Sequence, residues 1–478
     1  MAQSRDAPPD GDDVLTRSAA RTVVRDALAF APAYMIPGLA SLVSVPVLFG
    51  ILGADGYGRW AILYGIANGV PQVTTGWLEA VLLRFGHRRE QALGPGVYVV
   101  AEAASSVLAA GLALAFIPGT RLVDLAAAGI LTASAGANVL VAARLQAMLR
   151  FGAVSRSAVV RALTGAVASI AAAIITGDAA WSALGLATGY AAGAIAGWRW
   201  AARDLAVEDP ATRRAVTAAE VRAYGFGSAV FAVGSFVLAV GDRFILSSLR
   251  PLADVGIYAA TYSIADLVFR LVPSVVVSTI RQRLFRSWDE DRQAERAAAI
   301  TAGALALGWI MAVGVVLIVS LTQRVHWAPV DPTLIGPIAA GLGVFIVANA
   351  LVIIYSAQYR QVRVAAHVAI AAGVNVAMNL VLVPGLGALG AAYTTVLSYV
   401  VFLALNLGGI RRTLRRPALA AYPVIAALVL TVALASLAAR PDGPWLEAMG
   451  IAAVALAIAA PFLARLLSGV VARERGRS

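Results

Sequence analysis

Residues 225–286 read GFGSAVFAVGSFVLAVGDRFILSSLRPLADVGIYAATYSIADLVFRLVPSVVVSTIRQRLFR. The segment contains two apolar stretches, and each is longer than the roughly 20 residues that a helix needs to cross a bilayer. The gap between the stretches holds a single Arg, whereas three Arg follow the second stretch within six residues. Because cytoplasmic loops of membrane proteins carry an excess of positive charge, this pattern predicts two transmembrane helices that are joined on the non-cytoplasmic side.

The same alternation runs along the whole chain. Apolar stretches long enough to cross a membrane lie at residues 28–50, 58–83, 95–117, 122–143, 157–176, 180–198, 224–249, 255–280, 298–321, 333–356, 364–383, 387–408, 419–438 and 445–466. All 38 basic residues are Arg; 31 lie in or within five residues of the two tails and the even-numbered gaps, and five lie in or within two residues of the odd-numbered gaps. The pattern predicts an all-α polytopic membrane protein of about 14 transmembrane helices with cytoplasmic N- and C-termini.

The composition agrees with a membrane protein. Hydrophobic residues make up 60% of the chain, charged residues 13%, and the mean hydropathy is +0.81, all far from soluble averages. A net charge of +12 would suggest nucleic acid as a partner of a soluble protein. Here the charge lies in loops beside the membrane and is explained by an anionic leaflet, so we expect no nucleic-acid binding. The absence of Cys excludes disulfides, thiolate metal sites and a Cys nucleophile.

The longest gap, 199–223, has mixed charge and divides predicted helices 1–6 from 7–12. We therefore predict six parts in the chain: a disordered cytoplasmic tail at 1–24, a six-helix bundle at 25–200, a cytoplasmic connector at 201–223, a second six-helix bundle at 224–410, helices 13 and 14 at 411–467, and a cytoplasmic tail at 468–478.

The two predicted bundles share a sequence pattern. Residues 54–67 (ADGYGRWAILYGIA) enter helix 2, and residues 253–265 (ADVGIYAATYSIA) enter helix 8. With one gap, both segments read Ala-Asp and then Ala-x-x-Tyr-x-Ile-Ala. Six helices return the chain to the same side of the membrane, so the pattern predicts parallel repeats related by a pseudo-twofold axis along the membrane normal.

Several predicted helices contain proline, which removes a backbone donor and kinks a helix. These are Pro32, Pro37 and Pro46 in helix 1, Pro71 in helix 2, Pro273 in helix 8 and Pro337 in helix 10. Interrupted helices in a two-repeat bundle favour a transport pathway between the repeats, although single prolines also serve packing alone.

Ionisable residues inside the predicted helices are costly in a membrane and are therefore candidates for function. They are Glu79 and Arg84 in helix 2, Glu102 in helix 3, Asp242 and Arg243 in helix 7, and Asp266 and Arg270 in helix 8. The polar residues predicted to accompany them are Asn68, Gln72, Asn375 and Asn379. Together these side chains predict a hydrated, charged cavity between the halves. Two alternatives stay open: Asp266 and Arg270, spaced i, i+4, form a purely structural pair, or Arg84 extends to the membrane surface.

Four segments resemble the polysaccharide (O-antigen-type) flippase family, in the superfamily that also holds multidrug and toxic compound extrusion transporters and lipid II flippases. They are residues 52–58 (LGADGYG) with Arg84-Phe85-Gly86, 144–152 (RLQAMLRFG), 241–246 (GDRFIL) with 255–258 (VGIY), and 375–384 (NVAMNLVLVP) with 387–392 (GALGAA). The chain departs from flippases that carry arginines deep in helix 1, because Arg21 and Arg25 lie only at the mouth of that helix.

The resemblance implies two bundles around a central cavity. It also implies that the protein moves an undecaprenyl-pyrophosphate-linked oligosaccharide between leaflets of a bacterial cytoplasmic membrane by alternating access, for cell-surface polysaccharide export. Because the planar fork of Arg binds phosphate in a bidentate manner, we expect Arg270, Arg243 and Arg84 to bind the headgroup. The carboxylates are expected to act as charge partners or ion-coupling groups: Asp266, Asp242, Glu79 and Glu102.

The expected partners are the lipid-linked oligosaccharide and membrane lipids, with a polysaccharide polymerase and glycosyltransferases as further candidates. No catalytic residue, metal or cofactor is expected, and coupling to a proton or a sodium gradient stays open. Two other function classes compete. A cation-coupled antiporter of drugs or metabolites favours a cavity of carboxylates and aromatic rings, whereas the candidate residues of this chain include three Arg beside four acids. A membrane-embedded glycosyltransferase needs a catalytic carboxylate on an outer loop, and these loops are short.

Overall fold

The computed structural model describes residues 32–85, 95–148, 150–204, 218–271, 331–358 and 360–414, and within these ranges the regular structure is entirely helical. The helices are Pro32–Thr74 (α1), Gly76–Phe85 (α2), Pro95–Phe116 (α3), Leu122–Ala147 (α4), Phe151–Thr176 (α5), Ala179–Asp204 (α6), Ala218–Leu249 (α7), Leu252–Leu271 (α8), Pro332–Ala357 (α9), Gln361–Leu386 (α10) and Ala388–Leu414 (α11). They confirm the prediction of an all-α polytopic membrane fold.

The segment that contains the first two predicted helices is broken at two places. α1 consists of two limbs that meet at Gly53, where φ is 68° and ψ is 177°, a backbone conformation that glycine adopts at little cost. Four residues beyond Pro71 a second break, at Thr75, separates α1 from α2. The backbone N and the Oγ1 of Thr75 both donate to the Pro71 carbonyl at 2.8 Å. These local hydrogen bonds satisfy the polar groups at the kink, which is necessary because no water is present in apolar surroundings.

The observed helices correspond to predicted helices 1–8 and 10–12. Nine of the helices in the described ranges are long and apolar enough to cross a membrane. Several of them extend beyond their apolar stretches; for example, α5 begins at Phe151, α7 begins at Ala218 and α11 ends at Leu414. Hydropathy detects only the part of a helix inside the hydrocarbon, whereas the helix continues among polar residues at the interface. Predicted helices 9, 13 and 14, Pro273 and both tails lie outside the described residues, so the total of 14 helices stays a prediction.

The odd-numbered gaps that the structure describes lie together at one end of the molecule, which we call the Arg-poor end. It carries the turns at Gly53, 117–121, 177–178, 250–251 and Gly387. Contacts join these turns directly: Arg59 donates to the Pro118 carbonyl at 2.8 Å, Arg121 to Asp178 at 2.5 Å, Gly58 lies against Leu252, and the guanidinium of Arg250 packs over Gly387. The up-and-down order of the helices around these turns is the one predicted from the Arg pattern.

The repeated segments meet each other across the two halves. A Cβ placed on Gly58 of α1 would collide with the Leu252 carbonyl and lie 3.2 Å from the Gly256 nitrogen of α8. A Cβ placed on Gly256 would collide with the Ala54 carbonyl and lie 3.1 Å from the Gly58 nitrogen. Ala54 and Leu252 each lie four residues before their glycine. The contact is therefore reciprocal, as a twofold relation between the halves requires.

Beyond this contact, the second limb of α1 packs along α7. Gly65 faces Val240, and Gly69 lies against the ring of Phe236. Small residues at such an interface let two transmembrane backbones approach closely. Phe116 at the end of α3 also contacts Phe244 of α7, with ring centroids 4.8 Å apart. The two halves are thus in contact at the Arg-poor end and along the α1–α7 seam.

Candidate functional site

A buried carboxylate, Asp242 of α7, lies between three helices of the C-terminal half. Only 1% of its surface is exposed. Its Oδ2 accepts hydrogen bonds from the hydroxyls of Tyr258 at 2.5 Å and Thr395 at 3.3 Å, and its Oδ1 accepts from the backbone N of Arg243 at 2.7 Å. A buried carboxylate is tolerated when donors surround it in this way. The acid and the backbone donor of Arg243 belong to α7, Tyr258 belongs to α8 and Thr395 to α11, so the cluster holds three helices together.

Two predicted asparagines complete this cluster. Asn375 and Asn379 of α10 are fully buried, and the Nδ2 of Asn375 donates to Ser398 of α11 at 3.1 Å. The Nδ2 of Asn379 donates to the Oδ1 of Asn375 at 3.1 Å, while the Oδ1 of Asn379 has no partner within the described ranges. The Oδ1 of Asn375 faces Gly241, next to Asp242. The structure thus places Asn375 and Asn379 next to Gly241 and Asp242, and their role as the lining of a cavity stays a prediction.

Arg243 lies beside this cluster but is not neutralised by it. The side chain is only 8% exposed, and its guanidinium carbon is 5.1 Å from the centroid of the Tyr262 ring. Its Nε has no hydrogen-bond partner, and no carboxylate of the described residues lies within salt-bridge distance. The neighbouring Asp242 binds the backbone N of Arg243 instead. A cation–π contact therefore stabilises the buried charge while leaving Nε free to donate.

The predicted polar residues of helix 2 face the N-terminal half. The Oδ1 of Asn68 accepts from the Tyr190 hydroxyl of α6 at 3.0 Å, and its Nδ2 donates to the Tyr64 carbonyl at 2.8 Å. Gln72 donates to the carbonyl of Asn68 at 3.0 Å. The guanidinium carbon of Arg161 on α5 lies 5.2 Å from the centroid of the Tyr190 ring. These contacts form a polar centre in the N-terminal half, separate from the Asp242 cluster.

The remaining predicted residues lie on α2, α3 and α8. Glu79 lies in the first turn of α2, and Glu102 lies in α3 with its carboxylate against Gly136 of α4. Asp266 is half-buried in α8. Arg84 and Arg270 occupy α2 and α8, but their side chains lie outside what the structure describes. Their predicted roles, and the pairing of Asp266 with Arg270, therefore stay predictions.

Five side chains of the two clusters were not singled out from the sequence. They are Tyr190, Tyr258, Thr395, Ser398 and Arg161. A hydroxyl in an apolar helix is common and carries no signal of its own, because it can bond to the preceding turn of its own helix. Thr395 and Ser398 do make such bonds, to the carbonyls of Ala391 and Thr395. For Arg161, the signal available was a charge within an apolar stretch.

Ion pairs neutralise the described arginines of the Arg-poor end. Arg59 and Arg121 both bind Asp124, at 2.8 and 3.1 Å, and Arg250 binds Asp254 at 3.0 Å. The hydrogen bond to Asp178 is the main cause that raises the pKa of Arg121. Burial works to raise the pKa of Asp178, but hydrogen bonds from Arg121 and from the backbone N of Ala180 hold that pKa below its ordinary value. The charges of these arginines are thus paired with carboxylates of the protein, unlike the charge of Arg243.

Within the described ranges the two halves are in contact at one end, and a buried acid and an unneutralised arginine lie between helices that are long and apolar enough to cross a membrane. The fold of the chain is similar to that of several solved multi-pass membrane proteins. No protein-family model matches the chain, and no curated protein is significantly similar to it in sequence.

Three solved structures illustrate the similarity. The lipid II flippase MurJ in an inward closed conformation has a TM-score of 0.62 and 13% identity, covering 94% of this chain and 100% of that one. An outward-facing multidrug resistance MATE family transporter of the MOP superfamily has a TM-score of 0.54 and 15% identity, with 84% and 96% covered. A MATE transporter in complex with MaD5 has a TM-score of 0.52 and 15% identity, with 82% and 96% covered. At these identities the comparison shows the fold.

Proposed function

We propose that the protein is a flippase. It moves an undecaprenyl-pyrophosphate-linked oligosaccharide from the inner to the outer leaflet of a bacterial cytoplasmic membrane by alternating access, for export of a cell-surface polysaccharide. A pyrophosphate and a glycan cannot cross hydrocarbon unaided, because each buried polar or charged group loses its hydration. A protein that carries them needs a cationic surface between its halves, while the lipid tail stays in the bilayer.

The observation that carries the proposal is Arg243. A guanidinium that is more than nine-tenths buried and lacks a carboxylate partner within the described ranges is costly unless an anion meets it at some stage of the cycle. Arg binds phosphate with two parallel hydrogen bonds, and the unpartnered Nε supplies one such donor. The proposed headgroup ligands are therefore Arg243, with Arg84 and Arg270 as further members of the set.

Asp242 is the proposed coupling group. Its hydrogen bonds to Tyr258 and Thr395 link α8 and α11 to α7, the helix that also carries Arg243. Loss or gain of charge on this acid changes the strength of both hydrogen bonds, since charge-assisted bonds are the stronger ones. A proton or sodium gradient acting on Asp242 would thus bias the packing of three helices beside the headgroup site. Glu79 and Asp266 remain proposed charge partners.

The test is translocation by the purified protein in liposomes. A polyprenyl-pyrophosphate-linked oligosaccharide is placed in both leaflets, and an impermeant glycosidase digests the glycan that faces outside. The proposal predicts that the protein makes the inner pool digestible, while protein-free liposomes protect it. Continued protection of the inner pool in the presence of folded protein would contradict the proposal.

One observation favours the rival antiporter. Tyr57, Trp60 and Tyr64 form a stack along α1, with ring centroids 5.4 and 5.1 Å apart, and aromatic faces bind organic cations. The same liposomes decide between the two functions when a fluorescent organic cation replaces the lipid. Gradient-driven uptake of that cation, with no exposure of the oligosaccharide, would establish the antiporter and exclude the flippase.

A further inference from the structure

The carboxyl group of Glu102 lies in a small space between two helices of the N-terminal half. Glu102 is in α3, and its side chain ends against Gly136 of α4. A Cβ at position 136 would lie 2.5 Å from Oε1 and 2.6 Å from Oε2. Any residue larger than glycine at position 136 would therefore displace the carboxyl group. The space between the two helices is shaped for this acid.

Neither oxygen of this carboxyl group has a partner. Both Oε atoms are buried, and neither makes a hydrogen bond or an ion pair within the described ranges. The Oγ1 of Thr132, one turn from Gly136 on α4, is also buried without a partner. Ser106, one turn along α3, is committed to the backbone carbonyls of Glu102 and Gly129. An acid and a hydroxyl with unused hydrogen-bonding capacity thus lie between the same two helices.

The charged groups on the helices packed around Glu102 lie far from it along the helix axis or are paired with other residues. On α4, Arg144 and Asp124 lie about 12 and 18 Å from Gly136 along the helix axis. Asp124 is bound by Arg59 of α1 and by Arg121. Asp242 and Arg243 of α7 lie at the Phe116 end of α3, about 21 Å from Glu102 along that helix.

Two more titratable groups complete the surroundings. On α3 itself, Tyr98 lies one turn from Glu102 and is half-buried. Glu79 lies on α2, which packs on α4. None of the charged groups in the described ranges pairs with Glu102, whose two carboxyl oxygens are buried. An acid so placed is buried as the neutral carboxylic acid.

We propose that Glu102 is a proton-binding site of the transport cycle. It holds a proton in the conformation described here, and it releases that proton when the halves rearrange and water reaches the α3–α4 space. Proton binding breaks no bond other than that of the donor, and water carries the proton to and from the carboxyl group. The inference rests on the proposed transport function for its role, and it names the proton as one coupling ion.

The first experiment measures the proton directly. Infrared spectra of the purified protein in lipid are recorded as the pH is raised, and the C=O stretch of un-ionised carboxylic acid is followed. Wild type should retain such a band at neutral pH, where exposed carboxylates are ionised, and Glu102→Gln should lose it. Identical bands in wild type and Glu102→Gln at neutral pH would overturn the proposal.

A second measurement separates this proposal from the flippase proposal. Translocation in liposomes is measured with and without an imposed pH gradient. Glu102→Gln mimics the protonated acid, so it should translocate without responding to the gradient, whereas wild type and the control Asp55→Asn, which removes an exposed carboxylate at the Arg-poor end, should respond. An equal response of Glu102→Gln and wild type would contradict the coupling role. Absence of translocation by wild type would reject the flippase function, and the infrared spectra would still decide the protonation of Glu102.

A third variant covers the case in which Glu102→Gln does not fold. Gly136→Ala keeps the acid but pushes it out of the α3–α4 space. The un-ionised carboxyl band should then disappear at a lower pH than in wild type. An unchanged pH dependence of the band in Gly136→Ala would contradict the assignment of that band to this site.

Discussion

Gly58 of α1 and Gly256 of α8 lie against each other so closely that neither position has room for a side chain. Each glycine also faces the carbonyl of the residue four positions before the other, Leu252 or Ala54. Both glycines lie six residues before the shared Tyr of the repeat, Tyr64 or Tyr262. The pseudo-twofold axis therefore passes near this contact, where the two halves approach most closely at the Arg-poor end.

Gly58→Ala should impair transport because the added methyl group prevents the halves from reaching this packing. Overpacking of a tight contact costs about 1–3 kcal/mol, which is enough to depopulate the conformation. Gly50→Ala in the same helix is the matched control, since a Cβ there meets nothing within 4 Å. Translocation in liposomes should fall several-fold for Gly58→Ala and stay near wild type for Gly50→Ala. Equal rates for the two variants would show that the contact is dispensable.

Asp242→Ala should destabilise the fold more than Asp242→Asn. Alanine leaves the buried hydroxyl of Tyr258 without its acceptor, at a cost of about 1–3 kcal/mol, whereas asparagine retains an acceptor oxygen. Thermal unfolding of the purified protein in detergent measures the difference. Asp254→Ala, which removes only the more exposed pair with Arg250, should cost less than about 1 kcal/mol. A midpoint for Asp242→Ala that matches the one for Asp254→Ala would contradict the role of the cluster.

Acid should weaken the contact between Arg121 and Asp178. Because the pKa of Asp178 is lower in the folded protein than its ordinary value of about 3.9, the pair stabilises the fold above that pH and loses this effect as the pH falls through the folded pKa. Asp178→Asn should therefore be less stable than wild type near neutral pH, by no more than about 1 kcal/mol, and equally stable at the acid end. Asp55→Asn, at an exposed position of the same end, is the control. A stability difference for Asp178→Asn that grows as the pH falls would contradict the assignment.

The orientation in the membrane is open to a direct test. Reporter tags after Asp55, Asp178 or Asp442 should be found outside the cell, and tags near Arg88, Arg213, Arg286 or Arg411 in the cytoplasm. The reason is the concentration of Arg in alternate gaps, which fixes the cytoplasmic side. A cytoplasmic signal from position 178 would contradict the fourteen-helix order within the part of the chain that the structure describes. A cytoplasmic signal from position 442 would change only the predicted arrangement of helices 13 and 14.

The fold could be read from the sequence because the membrane restricts the choice to helices, and because Arg marks alternate turns. The repeat of residues 54–67 and 253–265 likewise identified two segments that meet in the structure. The site was harder to predict. A charged residue in an apolar helix is easily recognised in a sequence, but its partner is not. Whether Asp242 binds the Arg243 guanidinium or the hydroxyls of Tyr258 and Thr395 depends on packing between three helices. Glu102 was recognised as an acid in an apolar helix. The sequence did not reveal that its carboxyl group lies against Gly136 without a hydrogen-bond partner in the described ranges.

The central claim is that the unneutralised Arg243 binds the pyrophosphate during translocation. The direct measurement compares Arg243→Gln with Arg250→Gln, which lies on the same chain segment but removes a guanidinium already paired with Asp254. Both variants are reconstituted in liposomes, and exposure of the polyprenyl-pyrophosphate-linked oligosaccharide is followed with time. Arg243→Gln should be folded and slowed at least tenfold, corresponding to about 1.4 kcal/mol of lost binding, while Arg250→Gln keeps the wild-type rate. A wild-type rate for Arg243→Gln would contradict the assignment of this residue as the headgroup ligand.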